Sequence, residues 1–419
     1  MAEQRDMLDD IIDIQRDWQA VSNPFGGVLD SLTQDPSKVK QWDPGEYKEV
    51  PRANSVMCLQ VASGCVDACS RCLDVCPTDS ITITDKRVVI HGSCRKCGLC
   101  SSVCPTGAFL TTKLAQKTLY DRVARVAGAY DVCYVTCTRA LGRLPLGNEV
   151  VLPCVGAMPA EVWFSLLSEY GNISVYLPLG ICDRCRTITG EETYAQLISQ
   201  AEEWSGEAMG LEVEEGELNH ELSRAYRRSQ FVSSMAQAGT MLVTRGVPVL
   251  AGAQAVAKRI KNHSDKLLEM QRTLEAAVGA KTDQSRRRVL TQGRKLVLTT
   301  LQQYPELAEN FHLEVPVCDR SLCTMCGDCA KACPVHACDI DDAGRFYVEP
   351  TYCINCGACA QTCIEDALTM EPFDSQQLVV PDPNAEKLAE RRAEAERRRQ
   401  EAKEKLRHGL EVIEQMADE

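Results

Sequence analysis

Cysteine thiols are the groups in this sequence whose spacing commits them to a chemistry. The run Cys94-Arg95-Lys96-Cys97-Gly98-Leu99-Cys100-Ser101-Ser102-Val103-Cys104-Pro105 leaves two residues between each of its first three thiols and three before the fourth. Three thiolates at that spacing wrap a tight loop around three corners of a four-iron, four-sulfide cube, and the fourth, opening a helix, is carried toward a second cube. The run recurs at Cys323, Cys326, Cys329 and Cys333-Pro334, and again at Cys353, Cys356, Cys359 and Cys363, where Ile364 replaces the proline. Proline is no ligand, so that change is expected to alter local rigidity rather than iron binding. Crossing the fourth cysteines gives one cluster on Cys323, Cys326, Cys329 and Cys363 and its neighbour on Cys353, Cys356, Cys359 and Cys333.

The half-motif before Cys94 is irregular. In Cys65-Val66-Asp67-Ala68-Cys69-Ser70-Arg71-Cys72-Leu73-Asp74-Val75-Cys76-Pro77 the first gap holds three residues. The assignment on spacing is Cys65, Cys69, Cys72 and Cys104 for one cluster, with Cys58 competing for the place of Cys65. Cys94, Cys97, Cys100 and Cys76 form the other. A widened loop accommodates a cube, and a three-iron cluster is the variant it leaves open.

Each of the two cysteine-rich segments also carries a hairpin between its half-motifs. Ile81 and Ile83 alternate with threonines, Asp85-Lys86 turns, and Val88 and Ile90 return; Cys338 and Ile340 lead to Asp342-Ala343-Gly344, and Phe346 and Val348 return. Residues 53–112 and 313–376 therefore read as an internal repeat. With these motifs, both segments resemble the bacterial dicluster ferredoxins, which implies two [4Fe–4S] clusters in each, four in all, and a role in one-electron transfer. Zinc held by paired cysteines is the competing reading, and three runs of one spacing with a fourth that differs in a single gap weigh against it.

Between the repeats, residues 113–194 alternate helix and strand: a helix over Leu114–Val126, strands at Val132–Val135, Val150–Leu152 and Ile173–Leu177, and a helix near Pro159–Tyr170. This pattern predicts a small parallel sheet. Cys137, Cys154, Cys182 and Cys185 then follow successive strands and should meet at the carboxyl edge, where such sheets place their sites. Four thiolates there would hold either a [2Fe–2S] cluster or a tetrahedral zinc. Cys133 is a substitute for Cys137. The Leu152-Pro153-Cys154-Val155-Gly156 element and the later Cys182/Cys185 pair resemble the delta subunit of methyl-viologen-reducing hydrogenases, which implies a [2Fe–2S] centre passing electrons between larger subunits. A redox-active dithiol at Cys182/Cys185 is the other reading. Cys318 and Cys338 fit no spacing and are expected to be packing residues.

The rest of the chain offers little chemistry. No glycine-rich dinucleotide fingerprint or phosphate loop is present, and the six histidines, His91, His220, His263, His312, His336 and His408, are scattered. Residues 1–52 hold an amphipathic helix candidate (Met7, Leu8, Ile11, Ile12, Ile14, Trp18), 195–312 read as a helical region, and 377–419 as a charged helix with Glu394–Arg398 and Glu401–Lys405 pairs.

Of 419 residues 24 are cysteine, and the formal net charge is −13, which argues against a nucleic-acid partner. No uncharged apolar run is long enough for a membrane span. The first thirteen residues carry five acids and one arginine, unlike a secretory signal, so the cysteines are expected to bind metal in a reducing cytoplasm. Together these readings predict a multidomain α+β protein in which two dicluster ferredoxin folds flank a small α/β segment and a helical region. Its expected function is single-electron relay within a cytoplasmic oxidoreductase complex, with the substrate chemistry on a catalytic partner subunit. A thiol–disulfide reductase component and a cluster-stabilised assembly scaffold are the alternatives.

Overall fold

The computed structural model describes residues 47–223, apart from 66–68, and 288–379, apart from 342. The expected N-terminal and C-terminal helices lie outside these residues, as does the middle of the helical region.

The first cysteine-rich segment is built from short elements: β1 (Arg52–Ala53), α1 (Leu59–Ser63), α2 (Arg71–Asp74), β2 (Ile81–Thr84), β3 (Arg87–Ile90), α3 (Leu99–Ser102) and β4 (Phe109–Leu110). β2 and β3 form the expected hairpin with Ile81 opposite Ile90, and β1 pairs with β4. Isoleucines and valines on one hairpin face, with Ala108 and Phe109, pack directly on cysteines, because so small a module has little other apolar surface to bury.

A four-stranded parallel sheet follows, in the order β6 (Glu149–Leu152), β5 (Cys133–Cys137), β7 (Ile173–Tyr176), β8 (Gly210–Glu212). Strands β5 and β6 are buried throughout, as expected of strands covered on both faces. Helix α4 (Gln116–Ala129), α5 (Thr138–Leu141), α6 (Ala160–Glu169) and α7 (Gly190–Ser205) complete this layer. In α6, the run Val162, Trp163, Phe164, Ser165, Leu166 and Leu167 is buried, because α4, α7 and α8 (Gln292–Gln303) all pack against it.

The helical region differs from its expected course. Its first part supplies β8, which extends the sheet past residue 194; Gly-Leu-Glu is too short and too polar to show a strand period. Its last part, α8, joins the second cysteine-rich segment to the α/β layer. Thr300 Oγ1 bonds Ser165 Oγ at 2.8 Å, and the buried Arg294 donates to the carbonyls of Thr351 and Pro350 at 3.1 and 2.8 Å.

The second segment repeats the first: β9 (Leu313–Cys318), α9 (Asp328–Ala332), β10 (Cys338–Ile340), β11 (Phe346–Val348), α10 (Ala358–Gln361) and β12 (Leu368–Phe373). Its outer pair, β9 with β12, runs for six residues where β1 with β4 runs for two. Among the described residues no helix is long and apolar enough to cross a membrane.

Candidate iron–sulfur centres

Three of the four half-motifs share one backbone. The residue before the second cysteine has positive φ in each (Lys96 at 61°, Met325 at 58°, Asn355 at 52°), and the residue after it is a left-handed glycine (Gly98, Gly327, Gly357). Non-glycine residues seldom adopt such values. The alternation turns successive backbone N–H groups inward, making a concave anion nest of the kind that cradles iron–sulfur clusters. The Cys94 Sγ already accepts the N–H of Lys96 at 3.4 Å.

The fourth cysteines follow a second rule. Three residues after each comes a left-handed residue: Asp79, Gly107, His336 and Asp366. The turn folds the next N–H back onto sulfur, so Ser80, Ala108 and Ala337 donate to Cys76, Cys104 and Cys333, each at 3.3 Å. Ile364, where proline was lost, is exposed, and the turn persists: the Asp366 N–H reaches the Cys363 carbonyl at 3.3 Å.

The sulfurs group in crossed fashion. Cys76 lines one cavity with Cys94, Cys97 and Cys100. Cys363 lines another with Cys323, Cys326 and Cys329, and Cys333 a third with Cys353, Cys356 and Cys359. Burial raises five of these twelve thiols, among them Cys356 to about 12 and Cys329 to about 11, with neighbouring sulfurs adding to the effect. Thiols gathered in low dielectric hold their protons until a cation replaces them.

The irregular half-motif is arranged differently. Ser70 takes the place of the left-handed glycine with φ −114°, in the right-handed region. The sulfurs acting on Cys72, pushed up to about 12 mainly by burial, are those of Cys104, Cys69 and Cys58. Burial raises Cys69 too, and again Cys104 and Cys58 are the sulfurs that add to it. Cys58, at the start of α1, is therefore the sulfur brought to this group. Cys65 lies beyond α1 and packs with Cys69 and Cys356 on Leu59 and Ala358.

At the sheet edge, Cys137 ends β5, Cys154 follows β6, and Cys182 and Cys185 follow β7, and the four line one cavity with Arg139, Glu191 and Tyr194. Cys137 Sγ accepts the Ala140 N–H at 3.4 Å and Cys185 Sγ that of Thr187 at 3.5 Å. Cys133 is not the substitute: it starts β5, is fully buried, and its Sγ faces the Val123 carbonyl of α4. Burial pushes Cys154 up to about 12 and, with Glu191 adding, Cys182 up to about 11.

The two cysteines without a spacing are more than packing. Cys318 lines the cavity of Cys323, and burial, with the Cys323 sulfur adding, raises it to about 11. Cys338 is buried on one cavity with Cys333 and Cys359; it is held protonated beside their sulfurs and lowers both. Its Sγ also lies 3.4 Å from the Cys329 carbonyl.

Among the described residues, no three His, Cys, Asp or Glu side chains close on a point that one metal ion could occupy. A cube binds each thiolate through a different iron, so its ligand sulfurs stand farther apart than four that share one zinc. Donor type, inward N–H groups and crossed grouping all fit iron–sulfur cubes.

The sequence matches the 4Fe-4S dicluster domain family at residues 64–108 and 322–367. No curated protein matches the chain. No solved structure matches it. Two dicluster domains thus flank a region of mixed helix and sheet, and they carry [4Fe–4S] clusters and a role in electron transfer.

Proposed function

We propose that the chain is a polyferredoxin-like subunit relaying single electrons through four [4Fe–4S] clusters within a cytoplasmic oxidoreductase complex whose catalysis belongs to a partner. The observation that carries this is the crossed grouping of sulfurs around N–H nests in both modules. The ligand sets are Cys58, Cys69, Cys72 and Cys104 (cube A); Cys94, Cys97, Cys100 and Cys76 (cube B); Cys323, Cys326, Cys329 and Cys363 (cube C); Cys353, Cys356, Cys359 and Cys333 (cube D). Bound cubes supply iron that cycles between two charge states. The protein's part is to hold the thiolates, direct N–H and S–H donors at sulfur, and limit water, each of which sets the potential.

The sheet-edge thiols would take a two-iron cluster, whose thiolates divide between two irons, more readily than one zinc. A thiol–disulfide role at Cys182/Cys185 is disfavoured, since reactive cysteines need a lowered pKa and Cys182 is raised to about 11. Each oxidised cube with four thiolates adds about −2, so the loaded protein is more acidic than its sequence and suits basic docking faces on its redox partners.

The test is iron, acid-labile sulfide and zinc per chain on anaerobically prepared protein. About 16 iron and 16 sulfide confirm four cubes, and about 18 of each add a [2Fe–2S] centre at the sheet edge. About 16 with one zinc makes that edge structural, and a value near 8 refutes the four-cluster relay.

A further inference from the structure

Resting on that reading, we infer that the centres stand in single file, C–D–A–B, with the step between modules crossing the contact of Leu59 with Ala358, and with the sheet-edge thiols attached beyond B alone.

The junction between modules is direct. Helix α1, immediately after Cys58, packs on both α9 and α10 of the second module. Leu59 and Ala358 are buried against each other at its centre, and Cys69 of cube A and Cys356 of cube D pack on that same pair. Both helices start at a cluster loop, so apolar contact between them brings the two inner loops together. Cubes C and B are consequently the outer members. Cys326 of cube C is exposed, beside Leu322, Met325 and Ile364, all exposed as well.

Within each module the crossed ligands hold the cubes together: Cys363, at the end of the cube D loop, lines the cavity of cube C, Cys333, at the end of the cube C loop, lines that of cube D, and Cys76 joins the loop of cube B. The sheet edge meets the first module at a different face. Helix α3, which carries Cys100, packs on Val155–Ala157, the turn that carries Cys154 into the edge. Ser102 Oγ donates to the Gly156 carbonyl at 2.6 Å, and Thr189 Oγ1 to that of Val75 at 2.6 Å. The α/β layer thus serves as an end station and not as the bridge between modules, although it lies between them in sequence.

The test uses the anaerobic full chain, titrated with dithionite and followed by EPR, with iron counted in every protein. In Cys69→Ala/Cys72→Ala, loss of about four iron shows that cube A alone is gone. Single file then requires cube B to lose its magnetic interaction with all other cubes while C and D keep theirs. Interaction surviving between B and D overturns the order. In Cys154→Ala, cube B should change its reduced fraction at a fixed poise by about twofold or more, whatever metal the edge holds, with C and D unmoved. A change confined to D, or none in B, overturns the attachment. A wild-type count far from about 16 iron refutes the four-cube reading itself, which keeps the two failures distinct.

Discussion

Replacing Gly98 with alanine separates two costs that the other cluster loops do not combine. Gly98 has φ +86°, and a Cβ there would lie 2.7 Å from Leu114 Cδ1 and 2.8 Å from Ala157 Cβ. The left-handed conformation costs an L-residue about 1–2 kcal/mol. Overpacking a closed contact adds about 1–3 kcal/mol, and the Ala157 methyl, unlike the Leu114 terminus, cannot rotate away. Reduced freedom of the unfolded chain returns about 0.4–1 kcal/mol, leaving a net loss near 3 kcal/mol. Gly327 and Gly357 occupy the equivalent loop position with φ +79° and +71°, and a Cβ at either meets nothing within 4 Å. Their alanine variants therefore lose only the backbone component, about 1 kcal/mol. The difference, about 2 kcal/mol, is roughly a thirtyfold change in the population opened at the junction of α3 with Val155–Ala157. Hydrogen exchange of the loaded protein at that junction reads the opening, and the visible absorbance lost under chelator reads its consequence for the cluster. If Gly98→Ala exchanges no faster there than Gly327→Ala does in its own loop, the packing of cube B's loop on the sheet-edge turn is wrong.

Three further expectations concern the sulfurs. Cys58→Ala should lose about one cube, near 12 iron per chain or near 15 where a three-iron core survives, while Cys65→Ala should keep about 16; the opposite result returns the ligand role to Cys65. Cys338→Ala removes a thiol that lines the cavity of cube D beside the ligand sulfurs of Cys333 and Cys359, where its one S–H can serve as a donor. Because a reduced cube is the more negative form, it gains more from such a donor, so the variant should titrate lower by roughly 40 mV, from about 1 kcal/mol and one electron; a potential unchanged or raised discards the donor role. Cys72 and Cys356 are pushed up to about 12 and Cys329 to about 11, so at neutral pH each binds a proton without iron and releases it on loading. Apparent affinity for iron should accordingly rise with pH up to those values, about tenfold per unit for each proton released, and chelator extraction should quicken as pH falls from 8 to 6. Extraction independent of pH would mean that these thiols are already ionised in the iron-free protein.

Spacing made most of the cluster chemistry legible because three of the four loops are local objects. Two residues between thiols, a glycine after the second and a turn after the fourth are encoded within a dozen positions, and Lys96, Met325 and Asn355 take the same strained φ in the structure. The sheet-edge group was legible for a different reason: parallel strands carry whatever follows them to one edge, so Cys137, Cys154, Cys182 and Cys185 could be gathered without knowing the loops. What escaped is what depends on contact through space. Cys133 and Cys137 sit four residues apart on one strand, and only where β5 begins and ends decides which thiol reaches the carboxyl edge and which is left at the far end beneath α4. Strand β8 has three residues and no period, and the place of α8 follows from Arg294 reaching carbonyls more than fifty positions away.

Cys58 illustrates the limit in one residue. It lies seven positions before Cys65, outside any pair pattern, and α1 intervenes between them. Were Cys65 to join Cys69 and Cys72 in a standard loop, Ser70 would need the left-handed backbone that Gly98, Gly327 and Gly357 adopt, and it is right-handed instead. On the proposed ligand set, the missing glycine, the widened gap and the extra cysteine upstream are one event: the loop gives up its own first sulfur and takes one from across a helix. That helix is the element that presents Leu59 to Ala358. The irregular half-motif then needs no loss of function to explain it, since the same rearrangement that moves the ligand builds the surface joining the two modules.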